Sequence, residues 1–380
     1  MTKRFDKPIE RILILSGGGA RGAYEVGACR ALADLGWAPD MIVGNSIGAT
    51  NGAILAAPGS GGDAFSAAVD LLEEVWRTEM VNCALHEVSG AWHPLLGHTI
   101  MWVIQVLQLL EKTKLGPGGA EPDVLPEFDP RWTEAVLAEF DPPVDAAGKD
   151  ALRWFLDRIR PYLKQGIENN PSLIERGNWQ KVLECHVNWK RLNGDQARCY
   201  LGCTATDVET GTLAWFWNHA PPNPAPAPLL KDAGLWVQHA MASSSIWSIY
   251  PSTVVDDRWY WDGALLANTP VQPAVDLLLA GKTDLDVVVV LMTPFYEGPP
   301  GLPVDKQPSV LDGLVRFMDW MMLGTFREQL ARLDAAQRER VRIVAPNRFQ
   351  GVVQMIDYAP GEMRELRRQG EEDAWKALGP

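Results

Sequence analysis

The chain has 380 residues, 47% of them apolar and 22% charged, with a net charge of −13. That is ample material for the core of one large α/β domain or two smaller ones. An acidic balance with no basic cluster excludes nucleic acid as the main partner. It also argues against strong electrostatic attraction to an anionic membrane, which needs grouped Lys and Arg.

The first nineteen residues hold only a short apolar run (ILIL) before polar and glycine residues, too little for a secretory segment. The longest other apolar stretch, 99–112, contains two Gln and falls short of the roughly 18 apolar residues of a spanning helix. A cytoplasmic protein, at most peripheral at a membrane, is expected. RILIL (11–15) reads as a buried strand, and the glycine-rich turn after it opens a helix over about 22–35 that Gly36 ends. MIVG (41–44) reads as a second strand, followed by a helix from Gly48 to about Ala57, broken by PGSGG. This order implies parallel strands with crossover helices.

Residues 64–190 change texture and read as a helical insertion, with a turn-rich linker at 116–130. Strand character returns at 197–206 and 212–217, and the proline-rich 221–228 is a loop. Asp256 and Asp257 supply the turn between two short strands, and Asp262-Gly263 closes the second. Thr269 suits an N-cap, Pro270 a first helical residue and Gly281 a stop. The run 285–292, with four consecutive valines, suits a sheet covered on both faces. An amphipathic helical segment (309–340), a last strand (341–345) and a last helix (360–378) complete the chain.

Three sites carry chemistry. SGGGARG (16–22) follows a strand and opens a helix, so its backbone N–H groups can turn inward around a phosphate or an oxyanion. The spacing Gly17-x-Gly19-x-x-Gly22 also satisfies a dinucleotide fingerprint, but the acid such a site needs after the second strand is missing: Asp40 precedes it. In GNSIG (44–48) a strand, a tight turn and a helix are the context of a nucleophile elbow. Gly44 and Gly48 then remove side chains where strand and helix nearly collide, leaving Ser46 exposed. The plainer reading is a glycine-stabilised turn with an incidental serine. A serine nucleophile needs a proton acceptor. None of His86, His93, His98, His186, His219 and His239 sits on a loop just after a good strand, and His239 reads as a packing residue in a helix. Asp262 does end a strand, and a buried aspartate can act as base directly. On the dipeptide alone, a plain hairpin turn is the simpler reading of Asp262-Gly263. The five cysteines contain no C-x-x-C pair. Cys199 and Cys203, near His186, read as packing on one strand face, and no metal or other cofactor is expected.

Taken in order, GGGARG (17–22), GNSIG (44–48), ASSSIWSIYP (242–251) and DGA (262–264) resemble the motifs of the patatin-like phospholipase family. The resemblance covers about 9–60 and 197–295. It implies a three-layer α/β/α fold with a mostly parallel central sheet, over a hydrolase domain at 9–295 interrupted by the insertion. Residues 296–380 would add a helical extension with one strand on the same domain. It further implies a serine–aspartate dyad without cofactor, Ser46 attacking an ester carbonyl and Asp262 acting as base. Gly18 and Gly19 would supply the oxyanion N–H groups, with Gly17 a neighbour in the same nest. Arg21 would steady that loop, and Gly263 would allow the turn after the base. Ser16 stands where many members carry Asp, and Ala264 where many carry Gly.

The implied substrate is a phospholipid or other acyl-ester lipid. An acyltransferase or thioesterase would share the elbow, but position 45 is Asn where the malonyl-transferase relatives place the histidine. Two further readings compete from different classes, a nucleotide-binding protein and a non-catalytic interaction module. Of sixteen tryptophans, Trp76, Trp92, Trp102, Trp132, Trp154, Trp179 and Trp189 fall in the insertion. Tryptophan favours a lipid boundary, and a lid rich in it could make peripheral membrane contact; scattered placement favours packing. The apolar segment 317–326 is expected to be buried.

Overall fold

The computed structural model describes residues 7–59, 64–80, 174–221, 234–295, 310–347, 353–356 and 358–379, with isolated positions between 157 and 172. Trp92, Trp102, Trp132 and Trp154, together with His86, His93 and His98, lie outside them. Chain contacts divide the protein into a unit of residues 1–84, 178–246 and 252–380 and a second of 85–177 with 247–251. The first unit carries an eight-stranded sheet.

Strand β1 (Arg11–Leu15) leads through the glycine loop into α1 (Gly22–Asp34), then β2 (Met41–Asn45) and α2 (Ile47–Ala56). Helix α3 (Phe65–Val75) runs into a π-helical turn at Trp76–Met80, and α4 (Trp179–His186) and α5 (Trp189–Leu192) follow. Strands β3 (Tyr200–Asp207) and β4 (Leu213–Trp217) come next, then α6 (Val237–Ser243) and the hairpin β5 (Thr253–Val255) and β6 (Arg258–Asp262). The remaining elements are α7 (Ala264–Ala267), α8 (Gln272–Leu279), β7 (Asp286–Val290), α9 (Val310–Leu330), α10 (Ala335–Arg338), β8 (Val341–Val344) and α11 (Pro360–Leu378).

Strands β3, β2, β1, β7 and β8 are parallel neighbours in that order. The central residues of β1, β2 and β7 (Ile12–Leu15, Ile42–Val43 and Val287–Val290) are β-branched or leucine and wholly buried, as a sheet with helices on both faces requires. One core cluster joins Ile12, Ile14, Val43, Val287 and Val289 to Val275 and Leu278 of α8 and Phe326 of α9. The sheet is therefore mixed but mostly parallel, in the α/β class.

The antiparallel part explains how the site is built. Gly202–Thr204 of β3 pair with both β2 and β4, and Ala205–Thr206 pair with both β4 and β6. A strand has two edges, so β2 and β6 share one edge of β3 end to end, and β4 takes the other. Asn45 faces Thr204 and Asp262 faces Ala205. Because β6 runs against β2, the last residues of the two strands meet tip to tip.

Two local readings are corrected. Helix α8 starts at Gln272 rather than Pro270, because the Thr269 hydroxyl bonds to Ser16 Oγ (2.9 Å) instead of capping a helix. In α9, Met322, Leu323 and Phe326 are buried, but Trp320 is 57% exposed, so the apolar segment is not buried throughout. Trp76 is buried, while Trp179 and Trp189 are partly so. Asp256 and Asp257 both take positive φ (48° and 61°) in the β5–β6 turn, the conformation of a two-residue type I′ hairpin. Among the described residues no helix is long and apolar enough to cross a membrane, and no group of His, Cys, Asp or Glu could hold a metal ion.

Candidate active site

The elbow is formed by backbone geometry. β2 ends at Asn45, the chain reverses at Ser46 with φ 55° and ψ −123°, and α2 begins at Ile47. A non-glycine residue in that region is strained and must be held by its surroundings. The Ser46 N–H donates to Ser243 Oγ (2.9 Å), and its carbonyl accepts from the N–H groups of Ala49 and Thr50 (3.0 and 3.2 Å). A Cβ on Gly44 would stand 2.4 Å from the Gly48 carbonyl carbon and oxygen, and one on Gly48 2.5 Å from the Leu15 oxygen. Strand, helix and neighbouring strand touch backbone to backbone here, so only glycine fits. Ser46 itself is 4% exposed.

Asp262, 2% exposed, is tied to this elbow by Asn45. Asn45 Nδ2 donates to Asp262 Oδ1 (3.0 Å), and Thr204 Oγ1 donates to Asn45 Oδ1 (2.9 Å), which fixes which end of the amide faces the carboxylate. Oδ1 also accepts the Ala264 N–H (2.8 Å), the local bond of an Asx turn. The Asp262 backbone is held at both ends: its N–H donates to the Ser245 carbonyl (2.8 Å) and its carbonyl accepts from Thr206 Oγ1 (2.9 Å). Gly263 is needed because a Cβ would come 2.3 Å from Asn45 Oδ1 and 2.7 Å from Thr204 Oγ1. The ASSS segment thus serves both sides: Ser243 holds the Ser46 amide and Ser245 the Asp262 amide.

The glycine loop lies beside the same point. A Cβ on Gly17 would meet Asn268 Oδ1 (2.4 Å), Asn45 Nδ2 (2.8 Å) and Ser46 Cβ (3.1 Å). Gly17 is a wall of the site, not a donor, since its N–H bonds to the Asn268 carbonyl (3.0 Å). Gly18 packs against Met292, and Gly19, at φ 58°, packs against the Met355 carbonyl. Among the described residues no protein acceptor takes the N–H of Gly18 or Gly19. Arg21, 1% exposed, donates from Nη1 to the Met292 carbonyl (3.3 Å) and so binds the loop to the segment that covers it.

The described histidines are placed elsewhere. His239 lies in α6, buried against Phe216, and its Nδ1 accepts the Trp236 N–H (2.9 Å). Burial lowers its pKa to about 4. His186 is paired with Glu79. Burial also lowers the pKa of His219. Asn45, Ser243 and Asn268 are among the polar residues that sequence reasoning did not assign, together with Thr204, Thr206 and Ser245. The only signal Asn45, Ser243, Ser245 and Asn268 gave was their place inside or just after recognised motifs.

Comparison with known proteins gives the family. A family model described as patatin-like phospholipase matches residues 13–275. A search of curated proteins found no match. Among solved structures, VipD from Legionella pneumophila aligns at 14% identity and a TM-score of 0.42, over 98% of this chain and 67% of its own. ExoU in complex with SpcU, from the type III secretion system of Pseudomonas aeruginosa, aligns at 15% identity and a TM-score of 0.31, over 100% of this chain and 54% of its own. The chain thus spans about half the length of ExoU. With a family model matched over well more than half its residues, the chain belongs to the patatin-like phospholipase family.

Proposed function

We propose that the protein hydrolyses acyl esters of lipids, in the manner of a phospholipase A or lysophospholipase, through a Ser46–Asp262 dyad. The observation that carries this reading is the tip-to-tip meeting of β2 and β6, which brings the Asp262 carboxylate to the residue next to Ser46. Family membership supports lipid hydrolysis at the coarser level.

In the proposed cycle the Ser46 hydroxyl gives its proton to Asp262 as Oγ attacks the ester carbonyl. The carbonyl oxygen takes the negative charge and is met by the N–H groups of Gly18 and Gly19. The alcohol leaves with the proton from Asp262, and Ser46 carries the acyl group. A water then gives a proton to Asp262 and attacks the acyl carbon; the acid departs and the proton returns to Ser46. No step calls for a metal or other cofactor. The transferase reading is weakened because the amide of Asn45, at the position where those relatives carry histidine, is spent on Asp262.

The test is hydrolysis of a chromogenic short-chain ester and of phospholipid vesicles by wild type, Ser46→Ala and Asp262→Asn. Both variants are expected to keep the wild-type melting temperature within a few degrees and to lose kcat by at least about 100-fold. Wild-type turnover in either variant would refute the dyad. Faster thiolysis of an acyl thioester than hydrolysis of any oxygen ester would move the reading to the transferase.

A further inference from the structure

Asn268 takes no part in the cycle above, yet it holds the peptide on which the oxyanion donor depends. It lies immediately after α7, the short helix that starts two residues beyond Asp262, and it is 5% exposed. Two reciprocal bonds join it to Gly17: the Gly17 N–H donates to the Asn268 carbonyl (3.0 Å), and Asn268 Nδ2 donates to the Gly17 carbonyl (3.1 Å). One residue along, Ser16 Oγ and Thr269 Oγ1 are paired at 2.9 Å, and Ser16 Oγ donates to the Val290 carbonyl (2.8 Å). Residues 268–269 are therefore latched onto 16–17.

The side-chain bond has a consequence for direction. In a planar trans peptide the carbonyl of one residue and the N–H of the next point opposite ways. A grip on the Gly17 oxygen therefore sets where the Gly18 N–H points. Nothing in a run of three glycines would otherwise stop that peptide from turning over, because glycine tolerates either orientation. Turned over, it would offer a carbonyl oxygen where an N–H is required.

The amide orientation of Asn268 is forced, since only its NH2 can face a carbonyl oxygen. Its Oδ1 is left buried without a hydrogen-bond donor among the described residues, 2.4 Å from the point a Cβ on Gly17 would occupy. An acceptor buried at a cost, in order to keep the donor on Gly17, fits a residue retained for what its nitrogen does.

We propose that Asn268 is a positioning residue for the oxyanion hole, holding the Gly17–Gly18 peptide so that the Gly18 N–H meets the developing charge. Through α7 it also couples this loop to Asp262, so one seven-residue segment, 262–268, sets both base and donor. The inference rests on the acyl-hydrolase reading.

The experiment compares wild type with Asn268→Asp and Asn268→Ala. Asp keeps the shape but sets an acceptor against the Gly17 carbonyl, and Ala removes the grip. Short-chain ester kinetics are read beside the affinity for a trifluoromethyl ketone, which forms a tetrahedral oxyanion on the serine. The expected result is a kcat lower by about 100-fold with KM within about twofold, and ketone affinity reduced by the same factor as kcat. Thr269→Val, which loosens the latch but leaves the Gly17 carbonyl held, is expected to change kcat by less than about threefold. Loss of kcat with unchanged ketone affinity would overturn the proposal, as would wild-type kinetics in both Asn268 variants. Failure of both to fold would overturn it too, by making Asn268 a purely structural residue. The underlying reading fails separately, if wild type itself forms no ketone adduct on Ser46.

Discussion

On the parallel side of β3, position is set by backbone lying against backbone. Gly44 touches Gly48, Gly48 touches the end of β1, and the strands around them are dry runs of valine, isoleucine and leucine. On the antiparallel side, position is set by side-chain hydrogen bonds. Asn45, Thr204, Thr206 and Ser243 hold Asp262 and the elbow amide through single bonds of 2.9–3.0 Å. The first kind of contact has no slack, because a backbone atom cannot step aside. The second kind can lose a member and leave the strand in place. The proposed nucleophile comes from the rigid side and its base from the tethered side. Substitutions in the two regions should therefore fail differently.

The largest effect is expected on the rigid side. Gly44→Ala puts a Cβ 2.4 Å from the Gly48 carbonyl group, and relief requires strand and helix to separate. We expect a loss of about 3 kcal/mol in stability with no measurable turnover, read by chemical denaturation and ester hydrolysis together. Near-normal stability would show that the elbow has more slack than its geometry implies.

A smaller effect on folding but a distinct one on chemistry is expected on the tethered side. Asn45→Asp removes the amide donor and sets a second carboxylate against Asp262. Like charges raise each other's pKa, so the acid limb of kcat/KM against pH should move upward by about a unit or more, and the maximum rate should fall. An unmoved acid limb would mean that Asp262 is not the group titrating in the rate.

The smallest effect concerns α6, which carries Ser243. His239 stays neutral in the folded protein until about pH 4, whereas its unfolded form takes a proton near 6.5. The unfolded state therefore binds more protons between those values, and stability falls as pH drops through that window. The stability that depends on a neutral His239 is complete above pH 6.5 and is lost progressively as the pH falls towards 4. His239→Gln, which keeps an acceptor for the Trp236 N–H, should flatten the acid side of melting temperature against pH.

The same contrast explains how much was legible in the sequence. Rigid contacts leave glycines at fixed spacing and strands of unbroken apolar residues, so β1, β2, β7 and both glycine motifs can be read directly. The hairpin was legible too, because Asp256 and Asp257 favour its turn. What the sequence hid was the register that sets β6 end to end with β2, since pairing across about 55 residues leaves no local trace. The tethers were hidden for another reason: Asn45, Ser243 and Asn268 are ordinary residue types whose partners are set only by the fold. Thr269 shows the limit well. Its type and its Pro270 neighbour fit a helix start, but a partner 253 positions away takes the hydroxyl.

The proposed activation of Ser46 by Asp262 can be read from reaction with a fluorophosphonate, with the modified peptide identified by mass spectrometry and its rate of formation measured in wild type and Asp262→Asn. A single adduct on Ser46 is expected, formed at least about 100-fold more slowly in the variant. An adduct on another serine, or equal rates in the two proteins, would refute the dyad.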